Sequence, residues 1–256
     1  MKIAIIQYST YGHITALASA IKEGVEASGV ASQVDILQVP ETLSAEVLQK
    51  LHAPPKPADI KVASAELLAQ YDAFLLGVPT RFGTVPAQWL AFWDTTGGLW
   101  ASGALHGKPA GIFVSTGTVG GGQESTVRTL LSTLVHHGMP YVPLGYVNSP
   151  GLFDMSEVHS GTSYGSGTYA GANGSRKPSA IELKVAQTHG ESFAKTAAKF
   201  YAPSDANSTS SSSLEDPKKA IGAKKTGSVQ RAAQSGKTSV RAEKAEKSGC
   251  LKCVIM

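Results

Sequence analysis

Three short segments gather hydroxyls, glycines and a guanidinium: STYGHI (9–14), PTRFG (79–83) and STGTVGGGQ (115–123). The first places Ser9 and Thr10 just ahead of an apolar-periodic run. Unpaired N–H groups and the helix dipole at such a start favour an anion. No Gly-Lys-Ser/Thr follows, so this is not a Walker A loop, and the segment lacks the Gly-x-Gly-x-x-Gly dinucleotide pattern. A single terminal phosphate held by neutral donors suits a mononucleotide such as FMN. Capping of the helix is the alternative use of the same two hydroxyls.

The other segments read in the same two ways. The glycines at 117 and 120–122 let a backbone lie against a flat ligand, or simply form a flexible turn. Arg81 would meet a polar ring edge or a solvent-side carboxylate. Phe82 would wall a ring or fill core. Trp100, within TTGGLWASG (95–103), reads as a loop residue, and an exposed loop tryptophan needs a subunit or a ligand to pack against. Of His136 and His137, one is expected to cap the last carbonyls of a helix and the other to face the site. No metal site is expected.

These loops need a scaffold. Apolar runs at 2–8, 32–39, 72–78, 108–115 and 140–146 read as five strands. Helical spacing follows the first strand (Ile14, Leu17, Ala18, Ile21, Val25) and recurs at 64–70, from about Pro86 (Trp89, Leu90 and Trp93 on one face), at 123–136 and near 179–200. Alternation of this kind predicts an α/β fold: a five-stranded parallel sheet of flavodoxin type, order 2-1-3-4-5, with helices on both faces. Its ligand would sit beyond the carboxyl ends of the strands. All three loops leave strands at that edge.

Composition divides the chain into a domain over 1–201 and a disordered tail over 202–256. From about Pro203 aromatic residues vanish and Ser, Lys, Ala and Gly take over. The tail carries ten Lys/Arg against five acids, whereas the preceding part has 13 against 14. The net charge of +4 therefore belongs to the tail, so it gives no support to a nucleic-acid-binding face on the domain; the tail suits an anionic membrane surface first and nucleic acid second. No secretory signal and no membrane-spanning run are expected. Both cysteines fall in the last ten residues, KSGCLKCVIM. CVIM fits a Cys-aliphatic-aliphatic-X box read by a protein prenyltransferase, with farnesylation of Cys253, removal of Val254–Met256 and methylation. One chain anchors weakly, so Cys250 is the expected palmitoylated second anchor. The expected address is the cytoplasmic face of a membrane, the plasma membrane first, with an unlipidated cytoplasmic fraction.

The segments YSTYGHI, GVPTRFG, TGGLWASGALHGK, STGTVGGGQE, LVHHGMPYVPLGY and GTSYGSGTYAG…GSRKPS, in this order, resemble the WrbA-type NAD(P)H:quinone oxidoreductases, flavodoxin-like proteins that bind FMN. The resemblance covers nearly all of 1–200. It implies that Ser9, Thr10, Tyr11, Gly12, His13 and Ile14 wrap the FMN phosphate. It further implies that Thr80, Arg81 and Phe82 border the isoalloxazine, and that Ser115, Thr116, Gly117, Thr118, Val119, Gly120 and Gly121 line its polar edge. His137 would lie near the ring, contributed across a subunit contact, and is the tentative catalytic residue. Tyr11 would help place NADH or NADPH, and Trp100 would stack near the quinone. A homotetramer and a ping-pong, two-electron reduction of quinone to hydroquinone are implied too. Val119 is an addition to the usual family spelling. Two other classes stay open on the sequence: a one-electron carrier, and a membrane-associated regulatory or structural protein with little turnover.

Overall fold

The computed structural model describes residues 1–202, so the expectations for Cys250, Cys253 and the tail lie outside the described residues. A six-stranded parallel sheet runs β3-β2-β1-β4-β5-β6. Its strands are β1 (Lys2–Gln7), β2 (Gln33–Gln38), β3 (Lys61–Val62), β4 (Ala73–Pro79), β5 (Ala110–Thr116) and β6 (Gly167–Tyr169). The helices are α1 (His13–Ala27), α2 (Ala45–Lys50), α3 (Ala65–Leu68), α4 (Ala87–Asp94), α5 (Gly97–Ser102), α6 (Gln123–His136) and α7 (Ala180–Lys199).

The central strands are apolar on both faces because both are covered. Ile6, Leu76, Val78 and Val114 pack under Trp89, Trp93, Leu130 and Leu134 of α4 and α6. Ile3, Ile5, Leu75 and Phe113 pack under Leu17, Ile21, Phe193 and Ala197 of α1 and α7. Those last two helices meet backbone to backbone. A Cβ on Gly24 would come within 1.9 Å of the Gln187 carbonyl oxygen, and one on Gly190 within 2.1 Å of that of Ile21.

Four expectations need correction. The run 140–146 is not the fifth strand of the sheet. It touches the start of β5 through one bridge, Ala110 to Tyr141, and Pro143 then has no N–H to continue a ladder. The carboxyl half of β5 pairs instead with β6, drawn from the glycine-rich segment. A two-residue edge strand, β3, adds the sixth. Leu90 is 46% exposed, and Phe92 takes its place in the core beside Trp89 and Trp93.

Candidate functional site

β1 delivers the chain into α1 through residues 8–12. Gly12 is the N-cap and sits in the left-handed region, φ +86°, where a side chain would be strained. Ser9 Oγ accepts the Gly12 N–H at 3.0 Å. The capping expected of Ser9 or Thr10 is not seen: Gly12 is the N-cap and no side chain caps α1. Ser9 shapes the turn, while the first-turn N–H groups of α1 have no intrahelical partner and are available to an anion. Ile14 is fully buried, so its side chain takes no part in the cleft.

The loop is braced from two sides. On one side Lys56 Nζ donates to the Ser9 carbonyl at 2.6 Å, pairs with Glu41 at 3.1 Å and lies over the Tyr8 ring. Tyr11 Oη also donates to the Leu51 carbonyl at 3.0 Å. Burial opposes ionisation of Glu41, yet the Leu43 N–H, Lys56 and Tyr8 outweigh it and hold the carboxyl below its ordinary range. Burial first, then Glu41, pushes the Tyr8 hydroxyl up to about 12. On the other side the Nε2–H of His13 donates to the Arg176 carbonyl at 2.7 Å.

The second loop folds over the first. Arg81 Nη2 donates to Thr10 Oγ1 at 3.0 Å and Nη1 to the Thr80 carbonyl at 2.8 Å. Thr126 gives its proton to the Gly122 carbonyl, so Thr80 Oγ1 donates to Thr126 Oγ1, at 2.8 Å. Arg81 and Thr84 exchange both backbone hydrogen bonds around Phe82 (φ +53°) and Gly83 (φ +75°). Two left-handed central residues make this a type I′ turn, whose favoured sequence is Asn-Gly. Phe82 neither fills core nor relaxes: its ring is fully exposed. Phe82→Asn should therefore raise stability by about 1 kcal/mol, read as a higher urea midpoint of the flavin-free protein. An unchanged or lower midpoint would refute the strain.

In the third loop Thr116 Oγ1 donates to the Thr118 carbonyl at 2.9 Å, and the Gly121 N–H donates to the same oxygen at 3.0 Å. Thr118, Val119 and Gly120 are exposed at the tip, so the additional Val119 bulges outward.

Between these loops lies a cleft of about 180 Å³ at the carboxyl edge of β1, β4 and β5. Ser9, Thr10, Tyr11, His13, Thr80, Arg81, Ser115, Thr116 and Gly117 line it, all of them anticipated. Pro79, Ala170 and Gly174 also line it and were not. Gly12, Ile14, Phe82, Thr118, Val119, Gly120 and Gly121 stand outside the lining. The missed wall, 170–176, follows β6. Ser179-Ala-Ile-Glu182 ahead of an apolar run was the legible signal nearby, and it forms a capping box on α7.

Two expected site residues lie elsewhere. Trp100 is on α5, not in a loop, and is 61% exposed. His137 is the C-cap of α6, at the end of the helix away from the loop it leaves, and it lines a separate surface cavity with Trp93 and His136. Thr96 Oγ1 gives its proton to the Trp93 carbonyl, so His137 Nε2 donates to Thr96, at 3.1 Å. Nδ1 of His137 is then a buried acceptor with no partner among the described residues. Burial, and secondarily His136, pushes its pKa down. Within one chain neither residue joins the cleft.

The donor set fits FMN. Hydroxyls and a helix start suit a phosphate monoester. Arg81 is the one Lys or Arg in the lining, and no carboxylate lines the cleft to repel the phosphate. Sheet order, helix placement and this cleft define a flavodoxin-like mononucleotide-binding protein.

The family model for NADPH-dependent FMN reductases matches residues 1–154. A Candida albicans protein described as NAD(P)H quinone oxidoreductase YCP4 is 58% identical over 214 residues, 83% of this chain and 74% of that protein. Another from the same organism, NAD(P)H quinone oxidoreductase PST2, is 57% identical over 199 residues, 78% of this chain and 97% of that protein. The flavodoxin, WrbA-like protein from Agrobacterium tumefaciens has a similar fold, with TM-score 0.54 at 20% identity over 78% of this chain and 98% of that one. The chain belongs to the flavodoxin-like NAD(P)H:quinone oxidoreductases of the FMN reductase family.

Proposed function

We propose that this protein is an FMN-dependent NAD(P)H:quinone oxidoreductase that reduces quinones to hydroquinones. The observation that carries the reading is the convergence of three loops on one cleft of hydroxyl and N–H donors with a single guanidinium at the carboxyl edge of the sheet. FMN supplies the two-electron chemistry; the chain supplies position and electrostatics. Ser9, Thr10 and the first-turn N–H groups of α1 hold the phosphate. Thr80, Arg81, Ser115, Thr116 and Gly117 contact the polar rim of the ring. Arg81, tied to Thr10, would hold a positive charge in the cleft beside the bound flavin. Tyr11 places the nicotinamide nucleotide. The test is the flavin absorbance of the purified protein, followed by oxidation of NADH and of NADPH with and without benzoquinone. A colourless protein that takes up no FMN would overturn the reading.

The finer parts of the proposal concern assembly and address. His137 and Trp100 lie outside the cleft of their own chain, so their proposed roles require a neighbouring subunit, as in a homotetramer with shared sites. Support comes from exposed Tyr146, Val147, Phe153 and Met155, a large apolar surface for a lone chain. Farnesyl on Cys253 and palmitoyl on Cys250 would tether the protein to the cytoplasmic face of a membrane, with the basic tail adding attraction to anionic lipid. No helix among the described residues is long and apolar enough to cross a membrane. Cys253→Ser should move the protein from the membrane pellet to the supernatant with its flavin content unchanged. Equal recovery in the pellet would remove the lipid anchor.

A further inference from the structure

The cleft wall at 170–176 has little apolar packing to hold it. Gly171 and Gly174 are both left-handed and Ala170 is small. The wall's backbone closes on itself, Arg176 N–H to the Ala170 carbonyl at 3.0 Å, and a carboxylate from the next helix ties it to α7. Glu182 is fully buried. Its Oε2 accepts Thr168 Oγ1 at 2.8 Å, Arg176 Nη1 at 2.8 Å and the Ser179 N–H at 2.9 Å. Its Oε1 accepts the Ser160 N–H at 2.9 Å. All four partners donate, so the position demands a group with acceptors only. Arg176, held this way, turns its own main-chain carbonyl to the Nε2–H of His13. Its Nη1 also donates to the Tyr169 carbonyl at 2.9 Å, closing the wall onto β6.

We propose that Glu182 is a positioning residue for the cofactor cleft, acting through Arg176 to fix the 170–176 wall and the imidazole of His13 against the phosphate-binding loop. The inference rests on the reading of the cleft as an FMN site. The carboxylate does not reach the cleft, and its effect travels along one chain of contacts: Glu182 to Arg176 side chain, Arg176 carbonyl to His13, His13 to the first turn of α1. Because the Arg176 carbonyl can only accept, this contact places a proton on Nε2 of His13. Loss of the carboxylate should free the wall and let the His13 proton exchange between the two ring nitrogens.

Glu182→Gln is the direct test. An amide of nearly equal volume must turn an N–H against a donor at one of its two ends, so packing is kept while the acceptor set is broken. Arg176→Met is the second variant. It leaves the main-chain carbonyl in place and removes the guanidinium's bonds to Glu182 and to the Tyr169 carbonyl. FMN affinity is measured by quenching of flavin fluorescence, and the His13 tautomer by nitrogen-15 shifts of the holoprotein. Wild type should bind FMN and show His13 protonated at Nε2. Both variants should bind FMN at least tenfold more weakly and show averaged His13 nitrogens. FMN affinity within twofold of wild type, with an unaltered His13 signature, overturns the proposal. If Glu182→Gln does not fold, Arg176→Met decides alone by the same two readings. Failure of wild type to bind FMN would instead sink the cofactor assignment, a distinguishable result.

Discussion

Gly77→Ala should be a severely damaging single-methyl change at the cofactor edge of the sheet, lowering stability by about 3 kcal/mol and removing tight FMN binding with it. Gly77 lies on β4, in register with Phe113 of β5 and Gln7 of β1. A Cβ there would come within 2.2 and 2.3 Å of two Phe113 ring carbons and 2.9 Å of Ile14 Cγ2. Both neighbours are fully buried, so neither can swing into solvent. Ile14 belongs to the first turn of α1, the turn whose N–H groups would hold the phosphate. Relief of the clash by moving Ile14 therefore displaces the anion site directly. Urea denaturation of the flavin-free protein and an FMN titration measure the two effects. Gly97→Ala is the control, since nothing lies within 4 Å of its added methyl. A Gly77→Ala protein that unfolds at the wild-type midpoint would show that the strand spacing is not as tight as described.

Acid should destabilise the domain through His189. This residue of α7 is almost fully buried, and burial pushes its pKa down from 6.5 to about 4. The Ser166 N–H donates to Nδ1 at 3.3 Å, so the single proton sits on Nε2, which has no partner among the described residues. The unfolded chain binds a proton near pH 6.5, and the folded chain resists until about 4. The stability is then fully present above about pH 6.5 and drains away as the pH falls toward 4, by roughly 3 kcal/mol over that window. His189→Gln should flatten this part of the profile while lowering the plateau at neutral pH. Urea midpoints at pH 7.5, 6, 5 and 4.5 on both proteins give the comparison. Parallel profiles for wild type and variant would show that other groups carry the acid response.

Much of this architecture was legible in the residues. β1, β4 and β5 are uninterrupted apolar runs because helices cover both faces of the sheet, and α6 shows its period so clearly that its bounds, 123–136, coincide with the reading. The three loops were identifiable because each follows such a strand. Two of the failures share a cause: glycine signals turns even where tertiary packing builds regular structure. α5 begins with two glycines, and β6 is three residues inside a glycine-rich stretch, so neither has a local signature. The segment 140–146 has the right composition for a strand, but Pro143 cannot donate, and β5 takes β6 as its partner beyond that point. The Glu182 hub was invisible for another reason. Four donors at 160, 168, 176 and 179 converge only once β6 and α7 are folded.

The crossing of α1 and α7 at Gly24 and Gly190 ties the start of the domain to its end. During synthesis α1 emerges early, yet the surface that covers one side of it is made last. The anion-binding turn at the head of α1 therefore cannot reach its final rigidity until the chain has been made through residue 199. Folding of this domain is bound to be late and all at once rather than progressive, with a high share of contacts between distant parts of the sequence. A chain that stops before α7 would leave the ribosome with an exposed apolar sheet face and no settled place for a cofactor.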